Sequence, residues 1–259
     1  MKRVSIIVSI AALLLPFGAL ADEHEAEQPG PLSDVWIVVP KKGMESEFAA
    51  AVTKHMAFRA EAGESRAWLG FRVVMGENIS KIGFRSCCFN YADLDAFPEE
   101  DREKGLGANW NENVDQYVDH YHHHLETMDW ENSHWPDGKV NGPYYSVSSW
   151  EIKLGAGQAW NEARKKLSRL ALDEGWASDA NNWLWHTRVT GKAMQMMVSS
   201  AESFADMAPP ETPFFAFVSE KVGAEEAAAI FEAFNSGFKN IDHTIWVYDA
   251  DLSTPSDDE

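Results

Sequence analysis

The chain has 259 residues, with 22 basic against 41 acidic side chains and a formal charge of −19 with histidine neutral. Such a balance repels nucleic acid and anionic membranes over a Debye length, so neither is an expected partner. Two cysteines exclude a disulfide framework, whereas 45% hydrophobic residues, with 11 Trp and 14 Phe, supply core material for one or two domains.

The N-terminus runs Met1-Lys2-Arg3, then an apolar stretch from Val4 to Leu15, then Pro16 and Ala19-Leu20-Ala21. A basic start, an apolar segment short for a bilayer and a small-residue ending describe a secretory signal peptide, 1–21, cleaved after Ala21. The expected address is therefore periplasmic or secreted, with no membrane attachment once the signal is gone. Residues 22–33, with Pro29-Gly30-Pro31, read as a disordered linker.

A first strand is expected at Val35–Val39, stopped by Pro40. A helix follows from about Met44 to Ala62, with Phe48, Val52 and Met56 on one face. Two β runs come next, Ala67–Met75 and Lys81–Phe89, joined by a turn at Gly76-Glu77-Asn78. Tyr91–Phe97 reads as a short helix interrupted by Pro98. From about Asn111 to His124 the chain reads as helix, with a closing strand after Leu125. The order then repeats: a strand at Tyr145–Lys153, a helix carrying Trp160, Leu167 and Ala171, paired strands at Asn182–Val189 and Ala193–Val198, a helix at Ala224–Phe238, and a strand at Ile241–Asp249.

The repetition is visible in single residues. Trp68-Leu69 with Val74 and Gly76 recurs as Trp183-Leu184 with Val189 and Gly191, at an offset of 115, and Trp36 recurs as Trp150 at an offset of 114. Each copy, 34–141 and 142–252, thus reads strand, helix, strand, strand, helix, strand, followed by an acidic tail at 253–259. That order gives a four-stranded antiparallel sheet with both helices on one face, an α+β ferredoxin-like (βαββαβ) unit. The strands are apolar on both faces, so a second unit is the expected cover.

This pattern resembles the dimeric α/β-barrel superfamily, tandem-fused, and within it the antibiotic-biosynthesis-monooxygenase-like and NIPSNAP-like groups. The resemblance covers residues 34–252 and rests on element order and the W-L…V-x-G echo. It implies two ferredoxin-like units packed sheet to sheet. It also directs attention to the barrel interior and to the clefts between sheet and helices. The superfamily includes cofactor-free oxygenases, haem-using enzymes and isomerases, so the resemblance leaves the chemistry open.

Three groups of residues could carry function. The run Asp119-His120-Tyr121-His122-His123-His124, read as helix, puts His120 and His124 one turn apart and His123 beside Asp119. Imidazoles at that spacing can share a divalent metal, or take part in haem binding, with Glu126, Asp115 or His134 as a further ligand; a solvated helix face is the alternative. Arg72 and Arg85 in the first copy, with His186 and Arg188 in the second, form an anion clamp if they face a cavity. His186 is then the candidate catalytic base. Trp68, Trp183 and Trp185 are expected to line an aromatic cavity, unless they are core. His186 stands where the first copy has Phe71, so any polar site should be asymmetric.

Cys87 and Cys88 are expected to be two reduced, partly buried thiols, because neighbours in a strand point to opposite faces; a vicinal disulfide acting as a redox switch in an oxidising compartment is the alternative. No G-x-S-x-G, Walker loop, G-x-G-x-x-G or C-x-x-C-H is present, which removes the usual support for hydrolase, NTPase and c-type cytochrome readings. The main expectation is an exported protein binding a small, partly aromatic molecule. It requires no cofactor and is monomeric by default, since one chain supplies both halves of the barrel; a homodimer and a bound divalent metal stay open. The alternative is an enzyme like the cofactor-free monooxygenases or isomerases, with His186 as base.

Overall fold

A computed structural model of the protein describes residues 30–77, 79–135 and 142–255. The signal peptide at 1–21, most of the 22–33 linker and the end of the acidic tail lie outside the described residues. The first half runs β1 (Leu32–Pro40), α1 (Glu45–Glu61), β2 (Leu69–Met75), β3 (Ile82–Phe89), α2 (Asp93–Lys104), α3 (Leu106–Asn113) and β4 (Val118–Met128). The second runs β5 (Tyr144–Ile152), α4 (Gly157–Asp173), β6 (Leu184–Arg188), β7 (Met194–Ala201), α5 (Phe214–Val222), α6 (Ala224–Ser236) and β8 (Phe238–Asp249). The strands close into one barrel in the order β1-β3-β2-β8-β5-β7-β6-β4. Each half contributes a ferredoxin-like sheet, β4-β1-β3-β2 or β8-β5-β7-β6, and the halves join edge to edge through β2–β8 and β4–β6. Closure satisfies sheet edges that would otherwise present unpaired backbone groups.

Strand alternation explains why both faces are apolar. In β1, Trp36 and Val38 turn outward onto α1, where Phe48, Val52 and Met56 meet them, and Val35 and Ile37 turn into the barrel. In the second half Trp150, Trp160, Trp183 and Trp185 form the corresponding outer core, covered by α4, α5 and α6. The C-terminal turn packs against β2 so closely that a Cβ at Gly70 would lie 2.5 Å from the Leu252 Cβ.

Four expectations are corrected. The Asp119–His124 segment is strand, not helix, because it pairs along its length with β1, Val35 opposite His124 and Ile37 opposite His122. Helix α2 runs through Pro98 and ends at Gly105, whose φ of 66° caps it. β1 begins at Leu32, before the expected linker boundary, since Leu32 and Ser33 are fully buried and paired with β3 and β4. Cys87 and Cys88 are joined by a disulfide. The β1–β3 ladder passes from Phe89 to Cys87 without pairing Cys88, so the alternation expected to separate the two side chains is interrupted there.

The helical layer of the first half carries a buried titratable group. Arg59 Nε donates to His55 Nε2 at 2.7 Å, so His55 Nδ1–H donates to Asn109 Oδ1, also 2.7 Å away. Burial outweighs the Asn109 bond and brings the imidazole down to about 4. The unfolded chain therefore binds the extra proton first, and this contribution is complete above the unfolded value of about 6.5 and lost as pH falls towards 4. A shift of that size corresponds to about 3 kcal/mol. Urea midpoints at pH 7 and pH 4.5 should show that loss in the wild type and a smaller one in His55→Gln.

Candidate functional site

Inward-facing side chains line a cavity of about 1120 Å³ in the barrel. Its walls differ. β2, β5, β7 and β8 contribute Phe71, Tyr145, Val147, Met196, Val198 and Trp246, whereas β3, β4 and β6 contribute Arg85, His122, His124, Glu126, His186 and Arg188. Barrel order makes each set contiguous, with β1 completing the polar side. Trp130 and Trp135 stand towards one end, and Glu77, Lys81, Glu151, Lys192 and Asn240 ring the other.

At the centre of the polar wall Glu126 holds two imidazoles. His124 Nε2 donates to its Oε1 at 2.9 Å and His186 Nδ1 donates to its Oε2 at 3.0 Å, with all three side chains buried. Burial by itself would raise the Glu126 carboxyl, but the two histidine hydrogen bonds prevail and hold it well below the usual carboxylate range. It is therefore an ionised acceptor, which fixes His186 as the Nδ1–H tautomer and leaves its Nε2 lone pair free. Burial also lowers the His186 pKa against the opposing pull of Glu126, so the ring is neutral near pH 7. A neutral imidazole with a free lone pair, oriented by a carboxylate, is competent as a base.

Two guanidinium groups flank this cluster. Arg188 lies opposite Glu126 in the β4–β6 ladder. Arg85 lies inside the barrel, where among the described residues its one side-chain hydrogen bond runs to Met128 Sδ at 3.3 Å. The Nε atoms of both arginines are buried without a partner among the described residues. Burial lowers both arginine pKa values and the Glu126 charge opposes the shift.

The expected site residues thus divide between two faces. His186, Arg85, Arg188 and His124 meet in the barrel, while Arg72 turns outward into an ion pair with Asp249. Trp183 and Trp185 also face outward, where Trp183 Nε1 donates to the Asn132 carbonyl and Trp185 Nε1 to Ser168 Oγ, both at 2.9 Å. Trp68 is buried under Arg59 and Arg66 in the first half's outer layer. The histidine run is split by strand alternation. His120 bonds Asp119 at the exposed end of β4, whereas His123 faces outward, stacked on Trp36 at 3.9 Å and bonded to Asp34 at 2.7 Å. His120, His123 and His124 therefore do not converge, and among the described residues no group of three or more His, Cys, Asp or Glu is placed to hold a metal.

A second cavity of about 660 Å³ lies between the first sheet and its helices, lined by Trp36, Trp68, Trp110, Tyr121 and Arg66. The polar side chains between its aromatic walls already have partners. Arg66 pairs with Asp34 and Glu64, and Trp110 donates to Tyr121, which donates to Asp115. Among the described residues lining the two cavities, buried guanidinium nitrogens without a partner are found in the barrel interior.

Fold and register define the chain as a dimeric α/β barrel of two fused ferredoxin-like units. Its architecture is shared with a provisionally assigned monooxygenase of Lactobacillus acidophilus NCFM, at 12% identity and a TM-score of 0.53 over 86% of this chain and 95% of that one. It is also shared with a provisionally assigned monooxygenase of Fusobacterium nucleatum, at 11% and 0.53 over 85% and 93%. An anthrone oxidase-like protein matches at 10% and 0.51 over 86% and 92%. At these identities the likeness is one of fold. No protein-family model and no curated protein sequence matches the chain.

Proposed function

We propose that the protein binds a small, partly aromatic molecule inside the barrel, its flat body against the Phe71, Met196 and Trp246 wall and its polar group towards Arg85, Arg188 and His186. The observation that carries this reading is that the guanidinium Nε of Arg85 and that of Arg188 are each buried against a large cavity without a partner among the described residues, since a buried donor is costly unless paired. The signal-like segment at 1–21 adds a periplasmic or secreted address to the proposal, and closure of the barrel within one chain favours a monomer. Native mass spectrometry of untagged protein from its own host should show a retained organic mass that is lost in the double variant Arg85→Met, Arg188→Met. A bare polypeptide mass in the wild type would count against tight binding.

A second reading, catalysis, is favoured by the tautomer that Glu126 imposes on His186. His186 Nε2 would take a proton from a carbon acid or phenol, and the arginines would hold the resulting anion. Anthrone is a suitable probe. The His186 base would remove its C10 proton, and the carbanion with O₂ would give anthraquinone and water. If the protein has this activity, His186→Asn should slow oxygen uptake with anthrone by about 100-fold or more; an unchanged rate would exclude His186 as the base.

A further inference from the structure

We infer that the barrel selects a monoanion, of the class of hydroxyaromatic carboxylates or stabilised phenolates, and excludes the neutral molecule of the same shape. This rests on the proposal that the barrel interior is the ligand site, and it follows from the charges there. Among the described residues lining the middle of the cavity, the ionised groups are Arg85, Arg188 and Glu126, with His124 and His186 bonded to the carboxylate. Two cations thus face one anion. The other charged groups lining the cavity, Lys81 and Lys192 among them, lie at its rim, and the carboxylates there do not correct the imbalance. Glu77 and Asp242 are solvent-exposed, and Glu151 is paired with Lys239 at 2.8 Å.

Among the described residues the middle of the cavity therefore carries one uncompensated positive charge. The donors that would take an anion are in place, since the Nε of each arginine lacks an acceptor. A carboxylate or phenolate supplies acceptor oxygens in the geometry a guanidinium favours. The aromatic part of the assignment comes from the facing wall, where the Phe71 and Tyr145 rings meet edge to face at 5.3 Å and Trp246 stands beside Gly83. Duplication sharpens the asymmetry. By strand register, Val73 and Val198 in the other copy occupy the positions of Arg188 and Arg85, and Phe71 that of His186. A single molecule can thus have its charge at β3, β4 and β6 and its ring at β2, β5, β7 and β8, each wall drawing strands from both copies. The overall negative charge of the protein makes this local cationic wall the source of selection, and not long-range steering.

The test is calorimetric titration of the full protein with 1-hydroxy-2-naphthoate and with its neutral amide, 1-hydroxy-2-naphthamide. The acid should bind the wild type about 30-fold more tightly than the amide. Arg85→Met and Arg188→Met should each remove most of that preference while amide affinity stays within about threefold, and Arg85→Lys should keep it. Circular dichroism checks that each variant is folded, and the lysine variant reads the charge without removing it. Equal affinity for acid and amide, unaffected by the methionine variants, would overturn the monoanion assignment and leave the barrel as a ligand site. Absence of binding by either probe would overturn the barrel-ligand reading and this inference together.

Discussion

Replacing Glu126 with alanine is expected to lower stability by about 3–5 kcal/mol, the usual cost of removing one partner from a buried charged cluster. Glu126 accepts from two buried histidines and, among the described residues, is the carboxylate that opposes Arg85 and Arg188 in the middle of the cavity. Its removal leaves two imidazole donors unsatisfied and two guanidinium groups without counter-charge. Because the carboxyl titrates well below its usual range, the contribution is fully present above the unfolded carboxylate value and persists under mildly acid conditions. Urea denaturation at pH 7 measures the effect. A change below about 1 kcal/mol would mean that cavity water solvates the cluster and that the carboxylate does not organise it.

Truncation of Trp160 to alanine should cost a similar amount, about 3–5 kcal/mol, for a different reason. Trp160 is 1% exposed, and its ring lies 5.0 Å from Phe234, 6.0 Å from Trp185 and 6.1 Å from Trp150. It also fills the space above Gly237, where a Cβ would approach its ring to 2.6 Å. A large void between α4, α6 and the sheet would follow, with the melting temperature falling by roughly 6–20 °C. Trp160→Phe should lose less, because it keeps most of the buried ring and removes an indole N–H that has no partner among the described residues. Differential scanning calorimetry of the two variants separates packing from the polar group; equal losses would contradict the cavity argument.

Duplication was readable because it preserves both faces of the sheet. Trp36 and Trp150 both face helices, and Phe71 and His186 both face the interior, so a fixed offset keeps residues in equivalent surroundings. The same property concealed which face was the site. With both faces buried, strand parity puts Trp68 and Arg72 on one face without saying whether that face meets the helices or the cavity; it meets the helices.

Strand β4 was unreadable for a related reason. An ordinary strand pairs an apolar inner face with a polar outer one, but here the inner face is itself polar, with His122, His124 and Glu126 alternating with Tyr121, His123 and Leu125. Without that contrast the histidine run read as helix, and its metal-like spacing was an artefact of the wrong period. Beside a helix Glu126 suggests only a metal ligand, although its place two residues from His124 joins it, at a period of two, to the same face. The pairing of Glu126 with His186 crosses from one copy to the other through β4–β6, a contact that neither half's sequence specifies.

The central claim is that the ligand sits inside the barrel, and a crystal structure of the protein soaked with 1-hydroxy-2-naphthoate tests it most directly. The account predicts ordered density in the barrel, the naphthalene ring against Met196 and Trp246 and the carboxylate within hydrogen-bond distance of Arg85 or Arg188. Density in the outer cleft beside Trp36 and Trp68, with the barrel holding only water, would contradict it.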